Sequence, residues 1–189
     1  LARINSDERM VLLTAHRREN AGEPMRNIFS AVKQLVEQHR NIHVVYPVHM
    51  NPAVREIANE ILADDPRIHL IEPLDVIDFH NFIARSHLIL TDSGGIQEEA
   101  PSLGIPVLVL RDTTERPEGV EAGTVKMAGT DRDTIVRLTT ELLTDEIAYM
   151  QMAHAANPYG DGLASQRIVE AILYHFGKRT EKPEPFTID

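Results

Sequence analysis

Short aliphatic runs alternating with helical spacing constrain this chain more than any other feature. The runs occupy residues 10–14, 43–48, 67–71, 87–91 and 106–110, with a weaker sixth at 124–127. The first five are apolar almost without interruption, as strands are when helices cover both faces of a sheet. After the first run, Pro24 stands at a favoured first-turn position. Met25, Ile28, Phe29, Val32, Leu35 and Val36 then fall on one face of a helix. Further helical patterns occupy 52–63, 76–85, 96–103, 132–143 and 164–176. The alternation predicts an α/β fold on a doubly wound, Rossmann-like parallel sheet. A chain of 189 residues suits one such domain, read here as 1–176 with a charged tail at 177–189 that contains Pro183 and Pro185. That tail reads as a loose end or a strap onto another domain. The polar start, 1–9, lacks Met and reads as a cut or an inter-domain linker.

In doubly wound sheets ligands bind beyond the carboxyl ends of the strands. The segments there are 15–24, 47–52, 73–75, 92–95 and 111–123, and they are dense in His, Arg, Glu and Gly. Asp92-Ser93-Gly94-Gly95 follows one aliphatic run and opens a helix. Glycines let a ligand approach the backbone, and a helix N-terminus favours an anion such as a diphosphate. A tight turn with an ordinary helix cap explains the same four residues equally well. Glu98 and Glu99 lie one turn further in, where a carboxylate either stabilises the helix dipole or accepts ribose hydroxyls. Pro101 keeps that helix short or bent. His16, Arg17 and Arg18 give a titratable donor and two fixed cations at another strand end, against the plainer reading of a solvated loop. The polar stretch 111–118 reads as a long functional loop, with Arg116 its best oxygen-binding group. His49 closes the second strand, a position more often structural than catalytic.

Composition removes several classes. There is no Cys, so disulfides and thiolate chemistry are excluded. A formal charge of −10 argues against nucleic acid or an anionic membrane as partner. No apolar run approaches the ~20 residues that span a bilayer. No His or carboxylate spacing matches a metal motif, so neither a metal nor another cofactor is expected.

Taken together, Thr14–Asn20, Tyr46–Pro52, Asp92–Pro101 and Arg111–Glu118 resemble the UDP-N-acetylglucosamine 2-epimerase family, of the non-hydrolysing bacterial type. Asn157–Gly162 adds a fifth matching segment, and the likeness runs from about Met10 to His175. The resemblance implies the C-terminal half of a glycosyltransferase-B type fold, with the active site in a cleft between two domains. It implies a cytoplasmic, homodimeric isomerase of cell-surface polysaccharide biosynthesis. This enzyme would interconvert UDP-GlcNAc and UDP-ManNAc by eliminating and re-adding UDP.

Residue by residue, the resemblance makes His16 the active-site histidine. Ser93, Gly94 and Gly95 become the diphosphate seat, and Glu99 the ribose carboxylate. Phe79 would lie beside the uracil, and Arg116 would contact the nucleotide. Arg17 and His49 match positions that touch a second, activating UDP-GlcNAc. Leu74 departs from members that carry Gln there, which removes a side-chain hydrogen bond to uracil. The family's acidic catalytic residues belong to the N-terminal domain, and no segment of this chain matches them. A glycosyltransferase of the same fold, a hydrolysing 2-epimerase and a UDP-sugar sensor are the competing readings.

Overall fold

In the computed structural model, which describes residues 4, 5 and 7–187, six parallel strands form one sheet. The strands are β1 (Arg9–Thr14), β2 (Ile42–Pro47), β3 (Ile68–Ile71), β4 (Leu88–Thr91), β5 (Val107–Val109) and β6 (Val125–Met127). All six aliphatic runs are therefore strands, including the weak one. The expectations for the polar start and the tail fall in part on residues 1–3, 6, 188 and 189, which lie outside the described residues.

The helices are α1 (Glu23–Gln38), α2 (Pro52–Leu62), α3 (Val76–Arg85), α4 (Gly94–Glu99), α5 (Pro117–Ala122), α6 (Arg132–Thr144), α7 (Glu146–Ala153) and α8 (Ala164–His175). Every residue of the predicted α1 stripe is buried. Asn51, Asp75 and Asp131 cap α2, α3 and α6 by accepting first-turn amides, so these starts are written locally. Pro101 brings no N–H to the ladder, and α4 gives way to a 3-10 turn at Ala100–Leu103.

Two helices depart from what the sequence spacing predicts. α5 begins at Pro117, so the polar loop expected over 111–118 ends at Arg116 and its last two residues open a helix. Spacing does not predict α7, because none of its residues is buried and its apolar residues form no one-sided stripe. Its start is nevertheless marked by Asp145, which accepts from the amides of Ile147 and Ala148.

The strand order is β3-β2-β1-β4-β5-β6. Alternate residues of β1 serve opposite layers. Val11 and Leu13 pack with Phe29, Val32 and Leu138, under α1 and α6. Met10 and Leu12 pack with Ile83, Ile89 and Ile96, under α3 and α4. Each such side chain contributes roughly 1.5–3 kcal/mol by burial. A one-residue slip of register would exchange the two sets, which pins β1 against β2 and β4. The chain leaves β1 for β2 on one side and returns to β4 on the other. The connections after β1 and β4 therefore diverge and leave a crevice at their carboxyl ends. Among the described residues, no helix is long and apolar enough to cross a membrane.

Candidate functional site

The crevice begins where Thr14 and Thr91 end paired strands. Their hydroxyls lie 2.6 Å apart and are buried, and the Thr91 hydroxyl also accepts the Ser93 amide at 2.9 Å. Ser93 stands at the N-cap of α4 with extended backbone, yet its side chain makes no capping hydrogen bond. The hydroxyl is thus not consumed by the helix, and the amides of the first turn have no acceptor within it. At Gly94 a Cβ would sit 2.8 Å from Glu115 Oε1, the end of a flexible side chain that would have to shift. A Cβ on Gly95 would meet nothing closer than 3.6 Å, on the side where that residue borders the cleft.

Asp92 is fully buried and organises the opposite lip. Its Oδ2 accepts the amides of His16 and Arg17, both at 2.8 Å, and the Asn20 side-chain amide at 3.1 Å. Asn20 also donates to the Leu110 carbonyl, tying the turn after β1 to the end of β5. The Tyr46 hydroxyl supports the same turn from below by donating to the Ala15 carbonyl at 2.6 Å. Burial, with a smaller contribution from Asp92, pushes that phenol above its usual range and keeps it a donor.

His16 projects from this turn, with its Nδ1 3.4 Å from Asp92 Oδ1 and its ring stacked on His49 at a centroid distance of 5.2 Å. Burial lowers the His16 pKa. Asp92 opposes that shift, and His49 and Arg17 add to it. A neutral imidazole on a cleft wall is a group able to take or give a proton near neutral pH.

The cleft itself holds about 440 Å³. The segment from Pro73 to Phe79 supplies an apolar wall through Leu74, Val76 and Phe79. His16, His49, Ser93, Gly95 and Glu99 supply polar groups. Glu99 accepts from, or pairs with, His80 Nε2 at 3.0 Å, and both side chains are about half exposed. An apolar wall facing a few convergent polar groups is the usual form of a small-molecule site.

Six of the nine expected site residues therefore border one cleft. Gly94, Arg17 and Arg116 do not line it. The two arginines stand beside the glycine turn, each held by a charge pair. Arg17 lies 3.5 Å from Glu115, and Arg116 pairs with Glu98. Arg116 Cζ is 3.9 Å from the Cβ position of Gly94, so it is adjacent to the turn while paired elsewhere. Sequence reasoning gives no separate role to Asp92, Asn20, Gln97 or Thr114. Gln97 is buried and joins the Ser93 carbonyl to the Thr114 hydroxyl, which in turn accepts the Arg116 amide. Asp92 carries a signal, since a carboxylate directly after a buried strand needs donors. Asn20 and Thr114 carry none, lying in stretches where every residue is polar. Among the described residues, no group of His, Asp and Glu is placed to hold a metal ion.

The sequence profile of the UDP-N-acetylglucosamine 2-epimerase family matches residues 1–173. A UDP-N-acetylglucosamine 2-epimerase of Bacillus subtilis is 64% identical over 181 residues, which cover 96% of this chain and 48% of that protein. The S. aureus MnaA-UDP co-structure superimposes with a TM-score of 0.90 at 58% identity, over 96% of this chain and 50% of the other. The Neisseria meningitidis UDP-GlcNAc 2-epimerase bound to UDP-GlcNAc gives a TM-score of 0.87 at 48% identity, over 91% and 46%. A likeness at 12% identity to the C-terminal domain of a Francisella tularensis glycosyltransferase, TM-score 0.60, shows the shared glycosyltransferase-B type fold alone. This chain spans about half the length of the curated relatives it matches.

Proposed function

The chain belongs to the UDP-N-acetylglucosamine 2-epimerase family, and from that premise we propose that it is the nucleotide-binding half of an enzyme interconverting UDP-GlcNAc and UDP-ManNAc. The observation that carries this reading is the single cleft on which His16, Phe79, Ser93, Gly95 and Glu99 converge from separate connections. Uracil lies against Phe79 and the apolar 73–79 wall. Leu74 offers it no side-chain hydrogen bond. The ribose hydroxyls bind Glu99, and the diphosphate sits on the Ser93 hydroxyl and the first-turn amides of Gly94 and Gly95. Arg116 leaves Glu98 to meet the nucleotide. An exposed ion pair adds little to stability, so that exchange costs little.

The reaction removes the carbon-2 proton, expels UDP and adds it back after the proton returns on the other face. His16 moves a proton beside the departing diphosphate, and the dipole of α4 and the arginines stabilise the charge that develops. The carboxylates that act at carbon 2 come from the enzyme's N-terminal domain. Support for a covering surface comes from α8, where Ile168, Val169 and Ile172 are exposed. Arg17 and His49 contact a second, activating UDP-GlcNAc. The intact enzyme is a cytoplasmic homodimer.

Titration of the chain with UDP, followed by calorimetry and amide NMR, tests the placement. Shifts are expected at residues 93–99, and Glu99→Ala weakens binding about tenfold, the worth of a hydrogen bond to a charged group. Absence of shifts there under excess UDP overturns the reading. Turnover by the isolated chain, free of host enzyme, overturns the division of labour between domains.

A further inference from the structure

Asp92 stands where three features of the site meet, and nucleotide binding does not account for its arrangement. It follows β4, precedes the Ser93 turn, and is wholly buried. Its two oxygens have different surroundings. Oδ2 accepts three N–H groups, two from the backbone of His16 and Arg17 and one from Asn20. Oδ1 is buried with no hydrogen-bond partner, and His16 Nδ1 lies 3.4 Å away. An unpaired buried carboxylate oxygen costs about 1–3 kcal/mol or more. A fold that tolerates this cost next to an imidazole nitrogen, and satisfies the sister oxygen three times over, has placed an acceptor there.

We propose that Asp92 is the positioning residue of this site, its Oδ2 fixing the turn that carries His16 and its Oδ1 taking the Nδ1 proton in a hydrogen bond, so that Nε2 is the nitrogen His16 uses in proton transfer. The proposal rests on the reading of His16 as the proton carrier of the reaction. No covalent step is involved. The Nδ1 proton stays on His16 and the carboxylate orients the ring. At 3.4 Å the two atoms are near but not aligned as a hydrogen bond, so a small turn of the ring is needed to form it, and such contacts commonly tighten when substrate arrives.

The electrostatic surroundings agree. The groups facing His16 are Asp92 from the end of β4, His49 from the end of β2, and its neighbour Arg17. Arg17 is itself paired with Glu115, and Glu99 with His80 border the same cleft. Burial, His49 and Arg17 all disfavour the imidazolium, and Asp92 alone favours it. Removing the Asp92 charge therefore lowers the His16 pKa further. A purely structural Asp92, holding only the backbone of the turn, leaves the identity of the protonated nitrogen untouched.

The test reads the imidazole of His16 in this chain by long-range 1H–15N NMR across a pH titration, without nucleotide. The wild-type neutral ring is expected to carry its proton on Nδ1. In Asp92→Asn the pKa falls and the Nδ1–H preference is lost, while Asn20→Ala, which loosens the same turn but keeps the carboxylate, retains both. A wild-type ring protonated on Nε2 overturns the proposal, whether or not Asp92→Asn folds. So does a folded Asp92→Asn with an unchanged tautomer and pKa. The UDP titration is a separate readout: loss of nucleotide binding with an Asp92-dependent Nδ1–H tautomer sinks the assigned reaction and leaves the pairing standing.

Discussion

Two histidine pairs stack with almost the same geometry at opposite ends of the sheet. His16 and His49 lie 5.2 Å apart at an interplanar angle of 10°, beyond the carboxyl ends of β1 and β2. His43 and His69 lie 5.2 Å apart at 11°, near the amino ends of β2 and β3. Their hydrogen bonding differs. His43 Nδ1 is 2.9 Å from His69 Nε2, and His43 Nε2 is 3.2 Å from Glu8, so both nitrogens of the buried ring have partners. In the other pair no ring-to-ring bond forms. His49 Nδ1 accepts the Asn51 amide, while His16 faces Asp92 and borders a cleft. Stacking is therefore not what distinguishes a reactive histidine. What matters is whether a nitrogen remains for the cleft: both nitrogens of His43 are used, whereas His16 keeps one for the cleft it borders.

The largest effect that would break this contrast is on turnover. In the intact two-domain enzyme, His16→Ala should lower kcat by about 10²–10⁴-fold, the usual contribution of a general acid or base, with an unchanged urea midpoint. His43→Ala should do the reverse. It leaves nucleotide binding and turnover per folded molecule intact and costs about 1–2 kcal/mol, because the partners of the lost ring are stranded. Equal losses of activity in both variants would erase the distinction.

Acid unfolding should show the amino end at work. His87 precedes β4, stacks on Tyr149 at 4.4 Å, and has a buried Nε2 without a partner. Burial, aided by Arg9, lowers its pKa to about 4, and a backbone hydrogen bond with Leu142 opposes the shift. Because the folded pKa lies below the usual 6.5, the unfolded chain takes up the proton first. The stability held by the neutral ring is complete above pH 6.5 and is lost as pH falls toward 4. A loss of about 2 kcal/mol across that window is expected, read from urea midpoints at several pH values. His87→Phe, which keeps a ring against Tyr149, should flatten the slope. An equally steep slope in that variant would assign the acid sensitivity elsewhere.

The smallest effect sharpens the carboxyl-end pair itself. If His49 contacts an activating UDP-GlcNAc, His49→Ala should blunt the rise of rate with added UDP-GlcNAc, by a coupling of about 1–3 kcal/mol. His16→Ala should lower the rate at every concentration without changing the curve's shape. A His49→Ala curve of wild-type shape would return that residue to a supporting role beside His16.

Much of the fold is legible in the chain's own spacing. The aliphatic runs are six strands because apolar continuity reflects burial on both faces. Three of the helices announce their starts through Asn51, Asp75 and Asp131, and α1 through Pro24 and its stripe. Local chemistry suffices in these places. It fails at α7, whose core contacts are only partly buried and leave no one-sided period in the sequence. At α5, Pro117 fits a loop end and a helix start equally, and the helix shows only once Gly119 is buried.

The site divides in the same way. The segments around His16, His49, Ser93 and Arg116 are visible because polar residues cluster where strands end. The sequence by itself determined the parallel sheet, the end of it that carries chemistry, and the residue types offered there. Only the tertiary structure decided which of them meet. It set Glu98 against Arg116, His80 against Glu99, and the buried Asp92 carboxylate against a turn 72–76 residues away in the chain. Periodicity records a residue's burial against its neighbours. Contacts between strand ends depend on the order β3-β2-β1-β4-β5-β6, which brings β1 beside β4 and has no local signature.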